Sequence, residues 1–496
     1  MIGQGVGFVI SFIARIFFIR TLGREYLGLN GLFTNVLTIL SLAELGVGEA
    51  ITFSLYKPLA DNDTKKCTML MQLYKKVYTV IGFAILIIGL CLTPFLPLII
   101  KNMPDIPYIN LIYALFVVNT AVSYFFSYKR NLIIADQKRY IATFYRYLAH
   151  AVFTFLEIIY LVLFKNYIGY LLIMIAATLA DNIMVSRKAD KMYKFLKTEK
   201  EIPLDPESKD KIIKNTRAMM MHKVGNVVVN STDNILLSMF VSLDSVGLYS
   251  NYFFITNALN SVTTHVFNSL TASVGNLFAT SDNKNAYRVF REVYFLDYFM
   301  YSFIAVSLLC LFNPFIELWV GSDYLFSFDI VCIIVINFYI TGMRKAVLTF
   351  REASGLFYKD RWKAVFEAII NLVSSIILAI YFGTFGVFLG TFISSITVCV
   401  WVEPLVLYKY GFKVKLIEYF KLYFMYEIIT VACCALTYYL CSFITFGRWL
   451  SIALKALLCL IIPNTVNVII FRNTMPYNYF KNLIKRMISK LKRKKK

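Results

Sequence analysis

The sequence predicts an all-α polytopic membrane protein with about fourteen transmembrane helices. Three observations lead to this fold class. Hydrophobic residues make up 59% of the 496 positions and charged residues only 16%, a balance outside the usual range of soluble domains. The chain divides into about fourteen apolar segments, and crossing a hydrocarbon core of ~30 Å takes roughly 20 such residues. The third observation is the distribution of basic residues.

Basic residues are concentrated in alternate loops. More than four fifths of the 51 Lys and Arg residues lie in every second loop and in the C-terminal tail. Because Lys and Arg are retained in cytoplasmic loops during insertion, this pattern predicts that both termini face the cytoplasm. The net charge of +22 then reflects topology and attraction to anionic lipid headgroups, and no nucleic-acid partner is expected.

The apolar segments follow one another with short interruptions. The predicted spans are 2–20, 28–56, 77–100, 109–128, 140–163, 167–186, 216–241, 247–279, 290–313, 326–350, 362–381, 385–407, 419–440 and 449–471. The second and eighth are longer than one crossing requires, so we expect them to tilt, bend or project into the cytoplasm. The longest loop, from Arg187 to Arg217, is polar and is predicted to be a cytoplasmic linker.

The two sides of this linker carry related patterns. The string Gly-Leu-x-x-x-aromatic begins at Gly28 and again at Gly247, and a weaker echo relates the basic pairs that begin at Lys129 and Arg344. Six spans in each half keep both halves in one orientation, so we expect two six-helix lobes related by a parallel repeat, with two extra C-terminal helices. The expected organisation is an N-terminal lobe over 1–186, a linker over 187–215, a C-terminal lobe over 216–410, two spans over 411–472 and a basic cytoplasmic tail over 473–496.

Four stretches resemble one family. Residues 19–33 (IRTLGREYLGLNGLF) and 42–59 are similar to the first hairpin and second span of the Wzx-type polysaccharide repeat-unit flippases. Residues 232–235 and 246–252 resemble the opening of that family's second lobe. The family is part of the superfamily of multidrug, oligosaccharidyl-lipid and polysaccharide exporters.

This resemblance implies a function without catalysis. It implies that an undecaprenyl-diphosphate-linked oligosaccharide repeat unit is moved by alternating access across the bacterial cytoplasmic (inner) membrane, for capsule, exopolysaccharide or O-antigen synthesis. The strings do not specify the glycan.

Ionisable groups inside the apolar segments are the candidate site residues. Each costs a few kcal/mol on insertion scales and therefore needs a partner, a cavity or water. Arg146, His150 and Glu157 in the fifth segment fall within roughly 40° of one helix face. Three possibilities stay open: the stripe meets the diphosphate or an acidic sugar, it contains an internal ion pair that fixes helix packing, or Arg146 extends to the cytoplasmic surface.

Four more groups complete the set. Arg15 offers a planar fork to phosphate oxygens, or extends to the outer interface. At 1.5 Å per residue, Glu44 lies nearer in depth to Arg146 than to Arg15, so we expect Glu44 and Arg146 to be the closer pair. Asp233 corresponds to Arg15 by the repeat, as a gate or as part of a polar packing cluster. We expect Arg15, Arg146, His150 and Lys223 as substrate-binding cations and Glu44, Glu157 and Asp233 as coupling or gating groups.

Few ligands other than the lipid-linked cargo are expected. No P-loop, zinc-protease or dinucleotide motif occurs, so no cofactor is expected. The nine cysteines are interpreted as small core residues and no metal site is expected. Glu367, Glu403 and Glu427 lie near predicted cytoplasmic ends and are expected on the surface. Coupling to H⁺ or Na⁺ and uncoupled transport both stay open, and the basic tail is expected to bind anionic phospholipids.

Three alternative functions place different requirements on the sequence. A lipid II flippase has an equally anionic cargo, and charge does not exclude it. A cation-coupled drug exporter of the same superfamily favours an acidic cavity, whereas Arg15 and Arg146 indicate an anionic cargo. A membrane polysaccharide polymerase or ligase needs a long outer loop with catalytic groups, and the predicted outer loops are short.

Overall fold

The protein is entirely helical in its regular structure over the residues that the computed structural model describes. These are all residues except 1, 45, 199–209, 211, 214–215, 217–226, 228, 230, 357–358 and 494–496. The chain packs as two compact units, Met1–Ser250 and Asn251–Lys496. The predicted fold class, an all-α polytopic membrane protein, is confirmed.

Unit 1 consists of long helices with short helices and turns between them. Its helices are α1 (Ile2–Leu22), α2 (Arg24–Leu40), α3 (Val47–Ala60), α4 (Thr64–Cys91), α5 (Leu96–Ile99), α6 (Ile109–Ala135), α7 (Arg139–Phe164), α8 (Tyr167–Met192), α9 (Phe195–Thr198), α10 (231–236) and the start of α11 (Leu243–Thr280). Short 3₁₀ turns at Ser41–Glu44 and Thr93–Phe95 and a π-helical turn at Leu237–Val241 connect some of them.

The packing of unit 1 follows from the apolar faces of these helices. α6 packs between α4 and α8, and α7 packs against both α1 and α8. Fully buried tyrosine and aliphatic side chains of α4 and α6, among them Tyr74 and Leu132, form the core. The opposite face of α7 exposes large apolar side chains such as Phe155 and Leu163. In a spanning helix such a face contacts lipid, which is as apolar as the core.

Unit 2 is also helical, and its helices pack around one central helix, α12 (Asn283–Val320). Its elements are the remainder of α11, then α12, α13 (Phe328–Met343), α14 (Lys345–Ala353), α15 (Lys363–Ser394), α16 (Val400–Val406), α17 (Ile417–Ser442), α18 (Arg448–Phe471) and α19 (Met475–Arg493), with π-helical turns at Ser395–Cys399 and Leu407–Phe412. α12 packs against α13, α17, α18 and α19, and α13 also packs against α15.

Ten helical stretches are long and apolar enough to span a membrane within the described residues. They are Gly5–Leu22, Thr64–Cys91, Ile109–Ala135, Arg139–Phe164, Tyr167–Met192, Asn283–Val320, Phe328–Ala353, Lys363–Phe412, Ile417–Ser442 and Arg448–Phe471. The stretch Lys363–Phe412 leaves helical geometry at Gly383 (φ 55°, ψ −131°), between the predicted eleventh and twelfth spans. The count of fourteen and the predicted boundaries of lobes, linker and tail stay predictions.

The long second segment is bent, as its length predicted. α2 ends in a 3₁₀ turn and α3 begins after Gly46, whose φ of 78° lies in the left-handed region. A residue with a Cβ pays steric strain there, whereas glycine does not. This break directs the Glu44 side chain out of a regular helical register and toward α4.

Candidate functional site

Arg15 extends from α1 to the first turns of α11. Its Nη2 donates a hydrogen bond of 2.5 Å to the Ser250 hydroxyl. Tyr170, on α8, lies close enough to interact electrostatically with both Arg15 and Glu157. Tyr170 therefore lies within electrostatic range of two predicted site residues, a cation on α1 and an acid on α7.

The predicted row of ionisable residues on α7 contacts a polar side chain of α1. The Ser11 hydroxyl lies 3.2 Å from His150 Nε2, and the Thr154 hydroxyl lies 3.3 Å from His150 Nδ1. Both ring nitrogens therefore have hydrogen-bonding partners, and Arg146 lies within electrostatic range of the ring. We call Ser11, Arg15, His150 and Glu157 the α1–α7 polar patch.

Aromatic rings enclose the α8 side of this patch. Phe18 meets Tyr167 and Tyr170 edge-on with ring centroids 5.8 Å and 5.3 Å apart, and Tyr26 meets Tyr167 at 5.0 Å. Such edge-to-face pairs fix ring positions. Phe18 thereby fixes the position of the Tyr170 ring, and Tyr170 lies within electrostatic range of Arg15. No spacing in the sequence indicates this arrangement, because the rings come from three helices.

Glu44 is held by a tyrosine network in α4. The Tyr78 hydroxyl donates to Glu44 Oε1 at 2.6 Å, and the Tyr74 hydroxyl donates to the Gly48 carbonyl at 2.9 Å. Asn131 of α6 donates in turn to the Tyr74 oxygen. Tyr74 is fully buried and Tyr78 nearly so. The network connects the break after α2 with two neighbouring helices.

The expected pairing of Glu44 with Arg146 is not formed as a salt bridge among the described residues. Arg146 is exposed and lies within electrostatic range of His150. The break at Gly46 brings Glu44 to Tyr78, and the expectation that Glu44 lies nearer to Arg146 than to Arg15 stays a prediction. Asp233 lies half-buried near Tyr249, and Lys223 lies outside the described residues.

Two ion pairs join α6 to α8 at the ends of these spans. Arg130 pairs with Asp181 at 2.6 Å, and Lys129 pairs with Asp190 at 2.7 Å. Just beyond the helix ends, Tyr193 donates to Asp136 Oδ2 at 2.6 Å. Burial and the neighbouring Asp136 carboxylate raise the pKa of Tyr193, so this hydroxyl stays protonated and serves as a donor.

Unit 2 contains a buried cluster of two acids and two bases. Arg344 Nε and Nη2 donate to the two oxygens of Glu403 at 2.9 Å and 2.7 Å. Lys363 Nζ lies 2.7 Å from Glu403 and 2.8 Å from Glu367. The bidentate geometry is the strong form of an Arg–carboxylate pair, and the cluster is neutral overall. We call these four residues the α15 ion cluster.

The placement of Glu403 and Glu367 corrects an expectation. Both were expected on the surface, but the Glu403 side chain is 0% exposed and that of Glu367 is 9% exposed. The expectation considered each acid alone at the end of a span. Burial becomes tolerable here because both carboxylates are neutralised, by Arg344 from another part of the chain and by Lys363, which lies one turn before Glu367 on α15.

The two basic pairs that echoed each other in the sequence have equivalent roles. In unit 1, Arg130, which lies just after the fourth predicted span, pairs with Asp181 of the sixth. In unit 2, Arg344 of the tenth pairs with Glu403 of the twelfth. Each pair therefore joins a span to the next but one. By the predicted numbering of spans, this correspondence is consistent with a parallel repeat of six spans, and the repeat itself stays a prediction.

One group of residues was missed by sequence reasoning. Cys310, Cys441 and Cys459 come from α12, α17 and α18, and their sulphur atoms lie within 4.8 Å of one another. No short motif signals this, because well over a hundred residues separate the first from the second. The other six cysteines lie outside this group within the described residues.

This arrangement, long apolar helices with ionised groups held between them, is typical of polytopic membrane transporters. Solved structures share the fold. The lipid II flippase MurJ in an inward closed conformation has a TM-score of 0.67 at 14% identity, over 95% of this chain and 98% of that chain. An inward-facing MATE-family multidrug resistance transporter of the MOP superfamily has a TM-score of 0.63 at 13% identity, over 82% and 96%. A Vibrio cholerae MATE transporter, VcmN, has a TM-score of 0.52 at 14% identity, over 82% and 99%.

Family membership follows from the sequence itself. The family described as "Polysaccharide biosynthesis protein" matches residues 1–274, more than half of the chain. The protein belongs to this family, and the resemblance to polysaccharide flippases is confirmed at this level. Among curated proteins, none matches the chain significantly.

Proposed function

We propose that the protein is a flippase for undecaprenyl-diphosphate-linked oligosaccharide repeat units. The observation that carries the proposal is Arg15, a guanidinium held in an apolar helix by Ser250 and beside Tyr170, in a chain of the polysaccharide biosynthesis family. The cargo has an anionic diphosphate, a polar glycan and an apolar tail. A fixed cation supports transit of the diphosphate, the tail stays in lipid, and no covalent step is required.

The remaining candidate residues have assigned roles in this proposal. Arg146, His150 and Lys223 assist Arg15 with the anionic headgroup, and Glu157 faces Tyr170 as a coupling group. Glu44 and Asp233 serve in coupling or gating. A H⁺ or Na⁺ gradient is the proposed energy source, since no nucleotide motif occurs. The protein works in the bacterial cytoplasmic membrane with both termini in the cytoplasm, where the basic helix α19 binds anionic phospholipids.

A flipping assay in proteoliposomes tests the role of Arg15. A charge-assisted hydrogen bond contributes about 1.5–3 kcal/mol, so Arg15→Ala should slow flipping of a lipid-linked oligosaccharide roughly 10- to 100-fold. Arg15→Lys should keep part of the rate. Arg20→Ala is the matched control, because Arg20 is exposed in the last turn of the same helix. A wild-type rate in Arg15→Ala would remove the cationic mechanism.

Two further arms of this assay separate the alternatives. An imposed H⁺ or Na⁺ gradient should accelerate the wild type, and indifference to both gradients would leave uncoupled transport. The fold likeness to the lipid II flippase makes lipid II the second candidate cargo. Lipid II supplied to the same vesicles should flip more slowly than the oligosaccharide carrier. Faster flipping of lipid II would favour that second function.

A further inference from the structure

Three buried cysteines of unit 2 converge on one point between three helices. Cys310 of α12 is 5% exposed, Cys441 of α17 is 4% exposed and Cys459 of α18 is 1% exposed. All their sulphur atoms lie within 4.8 Å of one another, and none is in a disulfide. The convergence is independent of the α1–α7 polar patch, which lies in unit 1.

Helix packing holds these sulphur atoms in place. α12 packs against both α17 and α18, and α17 packs against α18, so each helix of the trio contacts the other two. Leu311 and Leu458 pack around the cysteines. The three side chains are therefore presented by rigid elements, as a preorganised ligand set requires.

The spacing suits a metal ion with three sulphur ligands. Metal–thiolate bonds are about 2.3 Å long, so three sulphurs around one trigonal ion lie about 4 Å apart by simple geometry. The three sulphur atoms already lie within 4.8 Å of one another, so they need to move only slightly closer to form that triangle. A disulfide joins only two sulphurs and leaves the third without a role.

We propose that Cys310, Cys441 and Cys459 form a three-sulphur binding site for Cu(I). Thiolates select Cu(I), Zn(II) and iron–sulphur clusters. Structural Zn(II) and iron–sulphur clusters take four ligands, and the described residues supply no fourth His, Cys, Asp or Glu to this group. Cu(I) is the ion among these that accepts three ligands and an apolar, water-poor setting.

Charge balance is consistent with this ion. Lys455 lies one helical turn before Cys459 and within electrostatic range of Cys441. The Lys455 ammonium and Cu(I) together balance two thiolates, with the third sulphur bound as a neutral thiol. Two protons leave the cysteines for each ion bound, so the group formed by the three cysteines and Lys455 changes from a net charge of +1 to a neutral site in the apolar interior. The ion ties α17 and α18 to α12.

Anaerobic titration of the full-length protein with Cu(I) against a chromogenic Cu(I) chelator tests the site. The wild type should take up one Cu(I) per chain with release of two protons, and X-ray absorption should find sulphur neighbours at about 2.3 Å. Loss of an outer-shell partner of a metal costs 10- to 100-fold in affinity, so Cys310→Ala, Cys441→Ala and Cys459→Ala should each cost more than about 100-fold.

Controls make the result decisive. Cys91→Ala, at an exposed cysteine, and Cys434→Ala, at a half-buried cysteine on α17, should bind Cu(I) like the wild type. Metal-free melting curves show whether each variant folds, and Cu(I) should raise the melting temperature only where all three cysteines are present. Equal affinity in the three triad variants would overturn the site. So would a disulfide between two of the three in protein isolated without reductant, and tighter Zn(II) than Cu(I) binding would overturn the choice of ion.

Discussion

At the scale of single residues, Glu403 illustrates how a buried charge is stabilised in this protein. Its side chain is 0% exposed and accepts two hydrogen bonds from Arg344 and one ionic contact from Lys363. Glu367 completes the neutral set. Removing one member of a buried, balanced group leaves an uncompensated charge, which costs more than the pair itself contributes.

Glu403→Gln should therefore be strongly destabilising. Loss of one partner of a buried ion pair costs about 3–5 kcal/mol, so the melting temperature of the purified protein should fall by several degrees. Glu418→Gln is the control, because Glu418 forms an exposed pair with Lys421 on α17 and such pairs contribute little. Equal melting curves for the two variants would contradict a structural role for the α15 ion cluster.

Sequence reasoning identified Arg15, His150 and Glu157 as unusual, and the structure places all three on one polar patch. A single ionisable group in an apolar segment is visible in the sequence, because the segment sets its environment. The residue that pairs with such a group cannot be identified from the sequence. Ser250 and Tyr170 lie far along the chain from Arg15, and Glu44 finds Tyr78 because of a backbone break.

At the scale of elements, the break between α2 and α3 positions Glu44. Gly48 lies in the first turn of α3, where an added Cβ would fall on the hydroxyls of Tyr78 and Tyr74 and on the Glu44 carboxylate. Only a residue without a side chain permits α3 and α4 to approach so closely. Glycine at this position is thus part of the tyrosine network rather than a general source of flexibility.

Gly48→Ala tests this close approach. Overpacking of a well-packed site costs about 1–3 kcal/mol, and Tyr78→Phe removes both the obstructing hydroxyl and its hydrogen bond to Glu44. The double variant should therefore lose less than the sum of the single losses, measured by melting temperature in a double-mutant cycle. Gly5→Ala is the control, since nothing lies within 4 Å of its added Cβ. Strict additivity would contradict the contact.

At the scale of the whole molecule, the repeat and the topology support each other. Arg130–Asp181 and Arg344–Glu403 each join a span to the next but one. Equivalent contacts in two units are expected when six spans, an even number, separate the copies, because both copies then cross the membrane in the same direction. The bias of basic residues toward alternate loops predicts the same topology independently.

Reporter fusions test that topology. Green fluorescent protein at the C-terminus should fluoresce, because it folds in the cytoplasm, and alkaline phosphatase inserted within the loop 101–108 should be active outside. Phosphatase inserted at Asn62, between α3 and α4, should be inactive and serves as the control for translocation. Active phosphatase at the C-terminus would overturn the predicted orientation.

The sequence by itself determined the class of the protein and its helices. Apolar length and the need to satisfy backbone hydrogen bonds within lipid are local constraints, so a membrane-spanning helix is legible from its own residues. Family membership could be recognised for the same reason, because it depends on contiguous stretches of the sequence. Only the tertiary structure decided that Glu403 is buried, that Glu44 meets Tyr78 and that Cys310 meets Cys441 and Cys459. These contacts depend on which helices pack together, and the uniform apolar surfaces of spanning helices carry little information about their neighbours.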